Sequence, residues 1–265
     1  MTVKEYDLEE VLSRYLAGED HLVLGREFGL HRTTIPNLLR RRGIPIRSIE
    51  RRRHFVNHYA LNDLSLESAL YWCGFIFADG YVSKRQNSGF INLGLAIRDL
   101  DHLNKFRGFF GSTQSIDQRG RLGGYGSPIC STNIFSNVLY DKLIQFGRYS
   151  GDLDRRLWAS RHFWRGAIDG DGCLVLSKRR DANDNLYFYP SVSLCGEYWI
   201  VDAFKRRFLL SGHDSKACVV PQSSIFTYTL TGPVAVDCIR WLYGDATVYL
   251  DRKYETAQRI LREYG

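Results

Sequence analysis

The sequence predicts an α+β protein in which two related domains with antiparallel sheets follow a small all-helical module. Three observations support this prediction: a long segment recurs later in the chain, apolar and polar residues alternate after each copy, and the start of the chain shows helical periodicity. With 265 residues, of which 44% are hydrophobic and 14% aromatic, the chain can bury two packed cores.

The composition excludes several classes of protein. No apolar run in the sequence reaches the roughly 18 residues of a membrane helix, and the polar start MTVKEYDLEE lacks the apolar stretch of a signal peptide. We therefore expect an intracellular protein without a membrane partner. The six cysteines show neither CxxC nor Cys/His spacing, so we expect buried small hydrophobic side chains, not a zinc site or disulfides.

Basic residues are concentrated in one stretch. Between His31 and Arg53 there are eight arginines and one acid, Glu50, an excess as large as the net charge of +7 of the whole chain. Such a cluster suits a polyanionic partner such as nucleic acid, although a solvated charge run without a partner gives the same pattern.

The first 48 residues predict three short helices. Asp7 is the expected cap of the first, Gly18 ends it, and the second runs from after Asp20 to near Phe28. After a turn at Gly29, the third helix has Pro36 in its first turn, where the missing N–H breaks no helical hydrogen bond. Its expected inward residues are Ile35, Leu38 and Leu39, and Gly43 closes it.

The order of helix, helix, glycine turn and basic third helix resembles the helix-turn-helix of resolvase-like DNA-binding domains. That resemblance implies a third helix in the major groove of DNA. The outward residues that would contact DNA are Arg32, Thr33, Asn37, Arg40 and Arg41. The alternative is a small structural bundle.

Beyond a basic linker (49–64), the chain repeats itself as a first domain (65–150) and a second (151–265). YWCGFIFADGYVS from Tyr71 matches FWRGAIDGDGCLVLS from Phe163, so that Asp79 and Asp171 are equivalent. Later matches shift by about six residues, which fits an insertion in the polar stretch RRDANDN from Arg179. Each copy reads helix, two strands, helix, two strands, helix.

Alternation predicts strands with one buried face in both copies. In the first copy the inward series is Ile91, Leu93, Leu95 and Ile97, against Asn92, Gly94, Ala96 and Arg98. In the second it is Phe188, Val192 and Leu194, against Tyr189, Ser191 and Ser193. Each sheet would therefore present a polar face, which in an ordinary α+β domain would only meet solvent.

The segments WCGFIFADG (Trp72 to Gly80) and WRGAIDGDG (Trp164 to Gly172) resemble the LAGLIDADG signature of homing endonucleases. Two copies one domain apart resemble the two-motif, single-chain form of that family. Small residues recur four apart on one face of each motif helix, as Gly74 and Ala78 in one and Gly166 and Gly170 in the other. They would let the two helices pack closely and bring Asp79 and Asp171 together.

Two convergent carboxylates suit a divalent metal, Mg²⁺ or Mn²⁺. The helix-end carbonyls of Ala78 and Gly170 can join its coordination, because the last carbonyls of a helix have no partner within it. For one Asp-Gly pair alone, a simple turn after a helix is the alternative.

The two copies differ at two positions of interest. The sixth motif residue is Phe77 in the first copy and Asp169 in the second. The stretch LYGDATVYLDRKYETA resembles a family ending that implies a catalytic-pocket role for Lys253, whereas the alternative is a surface lysine. In the first copy FGRYSGDLDRR offers Arg148 or no equivalent.

The resemblance covers roughly Leu64 to Glu263 and implies an αββαββα pseudo-dimer whose two sheets form a saddle over duplex DNA. The expected DNA-facing strand residues are Arg85, Asn92, Arg98, Gln118, Lys178, Tyr189, Ser191, Ser193 and Thr229. The implied activity is cleavage of long double-stranded sites to leave short 3′ overhangs, by a monomer, as in homing enzymes of introns, inteins or phage. An RNA maturase and a catalytically inactive DNA-binding regulator are the alternatives, and the presence of both aspartates disfavours the regulator.

Overall fold

The computed structural model describes residues 5–19, 21–31, 33–44, 54–119 and 128–264. The chain divides into two compact units, Met1–Arg53 and His54–Gly265. Arg32 and residues 45–53 of the basic stretch lie outside the described residues. None of the described helices is long and apolar enough to cross a membrane.

The first unit contains the three predicted helices, α1 (Glu5–Leu16), α2 (His21–Glu27) and α3 (Thr34–Arg41). Their buried residues form one small core, made of Val11, Leu12, Tyr15, Leu24, Ile35 and Leu39. Gly18, Gly29 and Gly43 follow the three helices with φ of 118°, 62° and 65°, a region that favours glycine, so their predicted roles as stops are confirmed. The predicted cap is wrong, because α1 begins at Glu5 and Asp7 lies within it.

The first half of the second unit runs from α4 to α6. Its elements are α4 (Glu67–Asp79), β1 (Gly80–Arg85), β2 (Ser88–Ala96), a 3₁₀ turn (Ile97–Asp99), α5 (Leu100–Phe109), β3 (Asp117–Arg119), β4 (Ile129–Phe135) and α6 (Asn137–Gln145). The strands form an antiparallel sheet in the order β1-β2-β4-β3.

The second half repeats this order, as the sequence repeat predicted. A short helix α7 (Arg155–Ala159) precedes α8 (Arg161–Asp171), β5 (Gly172–Arg180), β6 (Leu186–Gly196), α9 (Tyr198–Leu209), β7 (Val219–Gln222), β8 (Ile225–Thr231) and α10 (Gly232–Tyr243). The second antiparallel sheet has the matching order β5-β6-β8-β7. A further helix, α11 (Asp251–Tyr264), ends the described chain.

The helices cover one face of each sheet and bury most of the predicted apolar series, whereas Ile97 and Phe188 are only partly buried. Leu93 and Leu194 are both almost fully buried on equivalent central strands. In the first half the Trp72 ring packs 5.3 Å from the ring of Phe106, and in the second the Trp164 ring packs 5.4 Å from that of Phe204. The two halves therefore repeat their core packing as well as their topology.

One predicted detail of the strands is wrong. The strand that includes Leu95 ends at Ala96, and the chain then turns through the 3₁₀ segment, so Ile97 and Arg98 do not continue the alternation. The extra residues of the second copy lie where the sequence predicted them, around Arg179, and they lengthen the strands as well as the turn. β5 continues to Arg180, three residues longer than β1, and the backbone N–H groups of Asn183 and Asn185 close the turn on Asp181, both at 2.8 Å.

The motif helices α4 and α8 pack backbone against backbone at their glycines, as predicted. A β-carbon on Gly74 would lie 1.9 Å from the carbonyl oxygen of Phe163, and one on Gly166 would lie 2.1 Å from that of Tyr71. Nearer the helix ends, a β-carbon on Gly170 would lie 2.4 Å from the Ala78 β-carbon. No side chain larger than hydrogen fits at these three positions without moving the helices apart.

We expect Gly74→Ala and Gly166→Ala each to lower the free energy of unfolding by about 1–3 kcal/mol, the usual cost of overpacking a core. Thermal or urea unfolding measures this loss. Gly108→Ala is the matched control, because Gly108 lies within α5 and its β-carbon would meet no atom within 4 Å. That change should be neutral or stabilise the protein by about 0.5–1 kcal/mol through helix propensity. Equal effects of all three changes would contradict the proposed helix contact.

Candidate functional site

Each motif helix ends at an aspartate, and a strand begins at the next residue. Asp79 ends α4 and Asp171 ends α8, while Gly80 and Gly172 follow in extended conformation and begin β1 and β5. A β-carbon on Gly80 would lie 2.7 Å from the Ile76 carbonyl oxygen, and the equivalent contact at Gly172 is 2.6 Å. Glycine is therefore needed for a direct helix-to-strand junction, which is not the left-handed turn that an Asp-Gly pair often forms.

The packing of the helices brings the two aspartates into one electrostatic environment. The Asp79 carboxyl carbon lies 3.5 Å from where a β-carbon on Gly170 would stand, so Asp79 reaches the end of the opposite helix. Loss of hydration, followed by the negative charge of Asp171, raises the pKa of Asp79 to about 6. Loss of hydration also raises the pKa of Asp171, against the positive charges of Lys253 and Arg148.

The donor set suits a divalent cation that a substrate helps to bind. Two carboxylates and nearby helix-end carbonyls supply hard oxygen ligands, and among the described residues no group of three or more His, Cys, Asp or Glu could enclose a metal. Mg²⁺ commonly binds through one or two carboxylates together with water and substrate phosphates. The residues therefore fit Mg²⁺ or Mn²⁺ and do not fit a closed zinc site.

Lys253 is buried at the end of α8, so the alternative of a surface lysine is wrong. Only 6% of the residue is exposed, and its Nζ lies 2.6–2.7 Å from the carbonyl oxygens of Ile168, Asp169 and Gly172. The Gly170 carbonyl oxygen is the most distant of its four acceptors, at 3.3 Å. Burial lowers the pKa of Lys253, and the negative charges of Asp169 and Asp79 oppose this effect.

Arg148 has the corresponding place in the first half, which the sequence left undecided. Its Nη2 donates to the Gly80 carbonyl oxygen at 2.9 Å, and Gly80 is the repeat equivalent of the Gly172 that Lys253 contacts. Its guanidinium carbon lies 5.7 Å from the ring centroid of Phe77. The Nε atom is buried and has no hydrogen-bond partner among the described residues.

The strand pairing shows which predicted residues lie on the open face of each sheet, away from the helices. In antiparallel pairs, directly opposite residues share a face. In the first sheet Arg85 and Asn92 lie on the open face, and Asn92 donates to the Asn133 side chain at 3.1 Å. In the second sheet the predicted residues on this face are Tyr189, Ser191, Ser193 and Thr229.

Three predicted strand residues do not lie on the open faces. Gln118 pairs with the buried Cys130, and Lys178 pairs with Phe188 on the same side as Leu174. Arg98 lies in the 3₁₀ turn, beyond the end of its strand.

The open faces carry two arginines that the sequence analysis missed, Arg119 and Arg179. The guanidinium carbon of Arg179 lies 4.0 Å from the ring centroid of Tyr189. The alternation of Leu174 and Leu176 could have identified Arg179, because that phase puts Lys178 on the helix side and the next residue on the open side.

In the first unit, α3 exposes the predicted polar face. Thr33, Asn37, Arg40 and Arg41 are exposed, whereas Ile35 and Leu39 are buried. Arg40 donates through Nη1 to the Asn37 side chain at 2.9 Å.

Comparison with solved structures identifies proteins with a similar fold. The LAGLIDADG homing endonuclease I-SmaMI bound to cleaved DNA has a TM-score of 0.52 and 16% identity over 73% of this chain and 87% of its own. I-SmaMI bound to an uncleaved DNA target with calcium ions has a TM-score of 0.51 and 15% identity, over 72% of this chain and 90% of its own. The LAGLIDADG meganuclease I-AabMI bound to uncleaved DNA has a TM-score of 0.50 and 10% identity, over 73% of this chain and 88% of its own.

The sequence comparisons gave no match, either to a protein-family model or to a curated protein sequence. The fold assignment rests on the structural matches. The chain therefore has the fold of the LAGLIDADG homing endonucleases, with both motif helices on one polypeptide.

Proposed function

We propose that this protein is a site-specific endonuclease that hydrolyses double-stranded DNA with Mg²⁺ or Mn²⁺ and leaves short 3′ overhangs. The main support is the pair of aspartates that the glycine-packed helices bring together, each half having one basic side chain at the end of its motif helix, the buried Lys253 or the half-buried Arg148. Since one chain supplies both halves, a monomer suffices. The overhang follows from the family resemblance alone.

Asp79 and Asp171, with the carbonyl oxygens of Ala78 and Gly170, would hold the cation. When bound, a divalent cation neutralises phosphate charge, activates water and stabilises the leaving oxygen of an in-line displacement. Lys253 and Arg148 hold the adjoining backbone and add positive charge beside the carboxylates. Their charges also favour the approach of a DNA phosphate to a site that is otherwise acidic.

The open faces of the two sheets are the proposed DNA surface. Arg85, Arg119 and Arg179 offer positive charge to phosphates, whereas small polar side chains such as Ser193 and Thr229 suit base edges in the major groove. The exposed polar face of α3 is a second proposed contact. I-SmaMI and I-AabMI, which have a similar fold, were determined bound to DNA, which supports DNA as the ligand of this protein.

We expect Asp79→Asn and Asp171→Asn each to abolish most cleavage while leaving DNA binding intact, because these carboxylates would hold the cation and not the DNA. A target is first selected from randomised duplexes with the wild-type protein. Cleavage is then measured in Mg²⁺, and binding by gel shift in Ca²⁺. Asp141→Asn, at an exposed position of α6, is the matched control and should cut normally. If either test variant cuts near the wild-type rate, that aspartate is not a metal ligand. A wild-type protein that binds RNA but cuts no DNA would instead support the maturase alternative.

The neighbouring residues Lys178 and Arg179 provide a test of the open face, because they carry like charge on opposite sides of β5. Arg179→Ala should weaken DNA binding and lower the slope of log affinity against log salt by about 0.9, the value for one neutralised phosphate. Lys178→Ala should change neither. Salt-dependent binding measurements that show equal effects would contradict the assigned DNA surface.

The double change Arg40→Ala and Arg41→Ala on α3 should lower the same slope by roughly 0.9 for each phosphate that these arginines neutralise in the wild type. Cleavage of the central site at saturating protein should persist, because the proposed metal ligands belong to the second unit. Arg26→Ala, at an exposed position of α2, is the control. An unchanged slope in the double variant would support the alternative of a structural helical bundle.

A further inference from the structure

The Asp169 carboxylate links the motif helices to the segment before α11. It is buried, with 1% of the residue exposed. Its Oδ1 accepts from the Tyr243 hydroxyl at 2.6 Å, and its Oδ2 accepts from the Tyr71 hydroxyl at 2.7 Å and from the Leu250 backbone N–H at 2.8 Å. Because the Tyr71 proton points to this carboxylate, the Tyr71 oxygen accepts from Nε2 of His102 at 3.1 Å. The carboxylate therefore joins α4, α8, α10 and the start of α11.

The contact with Leu250 bears directly on Lys253. The Leu250 carbonyl accepts the backbone N–H groups of Lys253 and Tyr254, both at 3.0 Å, so Leu250 is the N-cap residue immediately before α11. Lys253 thus lies in the first turn of a helix, where the helix dipole disfavours a cation. Its ammonium group is nevertheless buried on the carbonyls that end α8, where partial negative charge favours it.

The first half is built differently at the equivalent position. There Phe77 replaces the carboxylate, and its ring lies 5.3 Å from the ring of Phe163 and 5.7 Å from the guanidinium carbon of Arg148. Arg148 follows α6 and does not lie at the start of a helix. In the first half, the aromatic ring of Phe77 therefore lies beside the basic Arg148. In the second half, the Asp169 carboxylate, which accepts three hydrogen bonds, holds the segment that carries Lys253.

We propose that Asp169 is a positioning residue of the second half alone: by fixing Leu250 it sets the start of α11 and keeps the Lys253 ammonium on the end of α8. This inference rests on the proposed endonuclease function. It further assigns Lys253 to one scissile strand and Arg148, which lies beside Phe77 without such a network, to the other. Loss of the Asp169 carboxylate should therefore affect the two strands unequally.

The first experiment measures the accessibility of Lys253 in the full chain without DNA or metal. Protein is treated with an amine-acylating reagent, and modification at Lys253 is quantified by mass spectrometry relative to the exposed Lys216. In Asp169→Ala, which leaves no acceptor for the Leu250 N–H, we expect Lys253 to be modified about 10- to 100-fold faster than in the wild type, the factor expected when a buried hydrogen bond to a charged group is lost. Tyr243→Phe is the matched control. It removes one hydrogen bond from the same carboxylate but leaves the Leu250 contact, so Lys253 should stay protected.

The second experiment follows each strand of a selected duplex with separate labels. Asp169→Ala should slow the cutting of one strand about 10- to 100-fold and leave the other within about twofold of the wild type. Lys253→Met should slow the same strand, and the double variant should be no slower than Lys253→Met, because both changes remove one function. A merely structural role for Asp169 would slow both strands together.

Equal slowing of both strands by Asp169→Ala, or continued protection of its Lys253, would overturn the proposal. If Asp169→Ala does not fold by circular dichroism, Lys253→Met still tests the strand assignment, and equal slowing by that variant would also overturn it. If the wild-type protein cuts no DNA, the proposed function fails, whereas the acylation rates still decide whether Asp169 positions Lys253.

Discussion

Close contact between two helix backbones is possible only where no side chain intervenes, and the second unit depends on that constraint at Gly74 and Gly166. Both glycines abut carbonyl oxygens of the opposite helix. Because the contact continues to Ala78 and Gly170, the two helices end side by side and their terminal aspartates share one environment. The proposed chemistry therefore depends on the helix contact, because without it the two carboxylates would lie apart at separate helix-to-strand junctions.

The charged side chains of Arg165 and Glu67 then connect this helix pair to the segment that leads to α11. Arg165, fully buried on α8, donates to the carboxylate of Glu67 on α4. It also donates to the carbonyl oxygens of Leu242 and Val248, both at 2.9 Å. Glu67 in turn accepts the backbone N–H of Thr247 at 2.8 Å. Buried ion pairs contribute little net stability but are costly to break singly, so they specify one arrangement of the chain. Here that arrangement includes the path from α10 to Lys253.

The repeat made the helix pair, the order of helices and strands along the chain and both terminal aspartates predictable, because each depends on residues that recur at matching positions in the two copies. The phase of a strand is clearest where buried residues flank a position on both sides, as Ile91 and Leu93 flank Asn92, which was assigned correctly. Lys178 lies towards the end of β5 and Gln118 lies in the three-residue β3, and both were assigned to the wrong face. The end of β2 before Arg98 depends on a 3₁₀ turn that alternation does not signal.

The surroundings of Asp169 could not be predicted from sequence. Its hydrogen-bond partners lie 98, 74 and 81 residues away along the chain, at Tyr71, Tyr243 and Leu250. The repeat relates equivalent positions of the two copies, but it does not indicate which side chains contact one another between them. The family resemblance pointed to the two terminal aspartates and passed over this third one, whose environment exists only after both halves have packed together.

The longer hairpin of the second half has a geometric consequence for the target. β5 exceeds β1 by three residues, nine against six, and at about 3.3 Å per residue this adds roughly 10 Å of strand. Stacked base pairs rise about 3.4 Å each, so along a duplex that length corresponds to about three base pairs. Under the proposed function, the protein would contact unequal lengths of DNA on the two sides of the cut. Its recognition site would therefore be asymmetric.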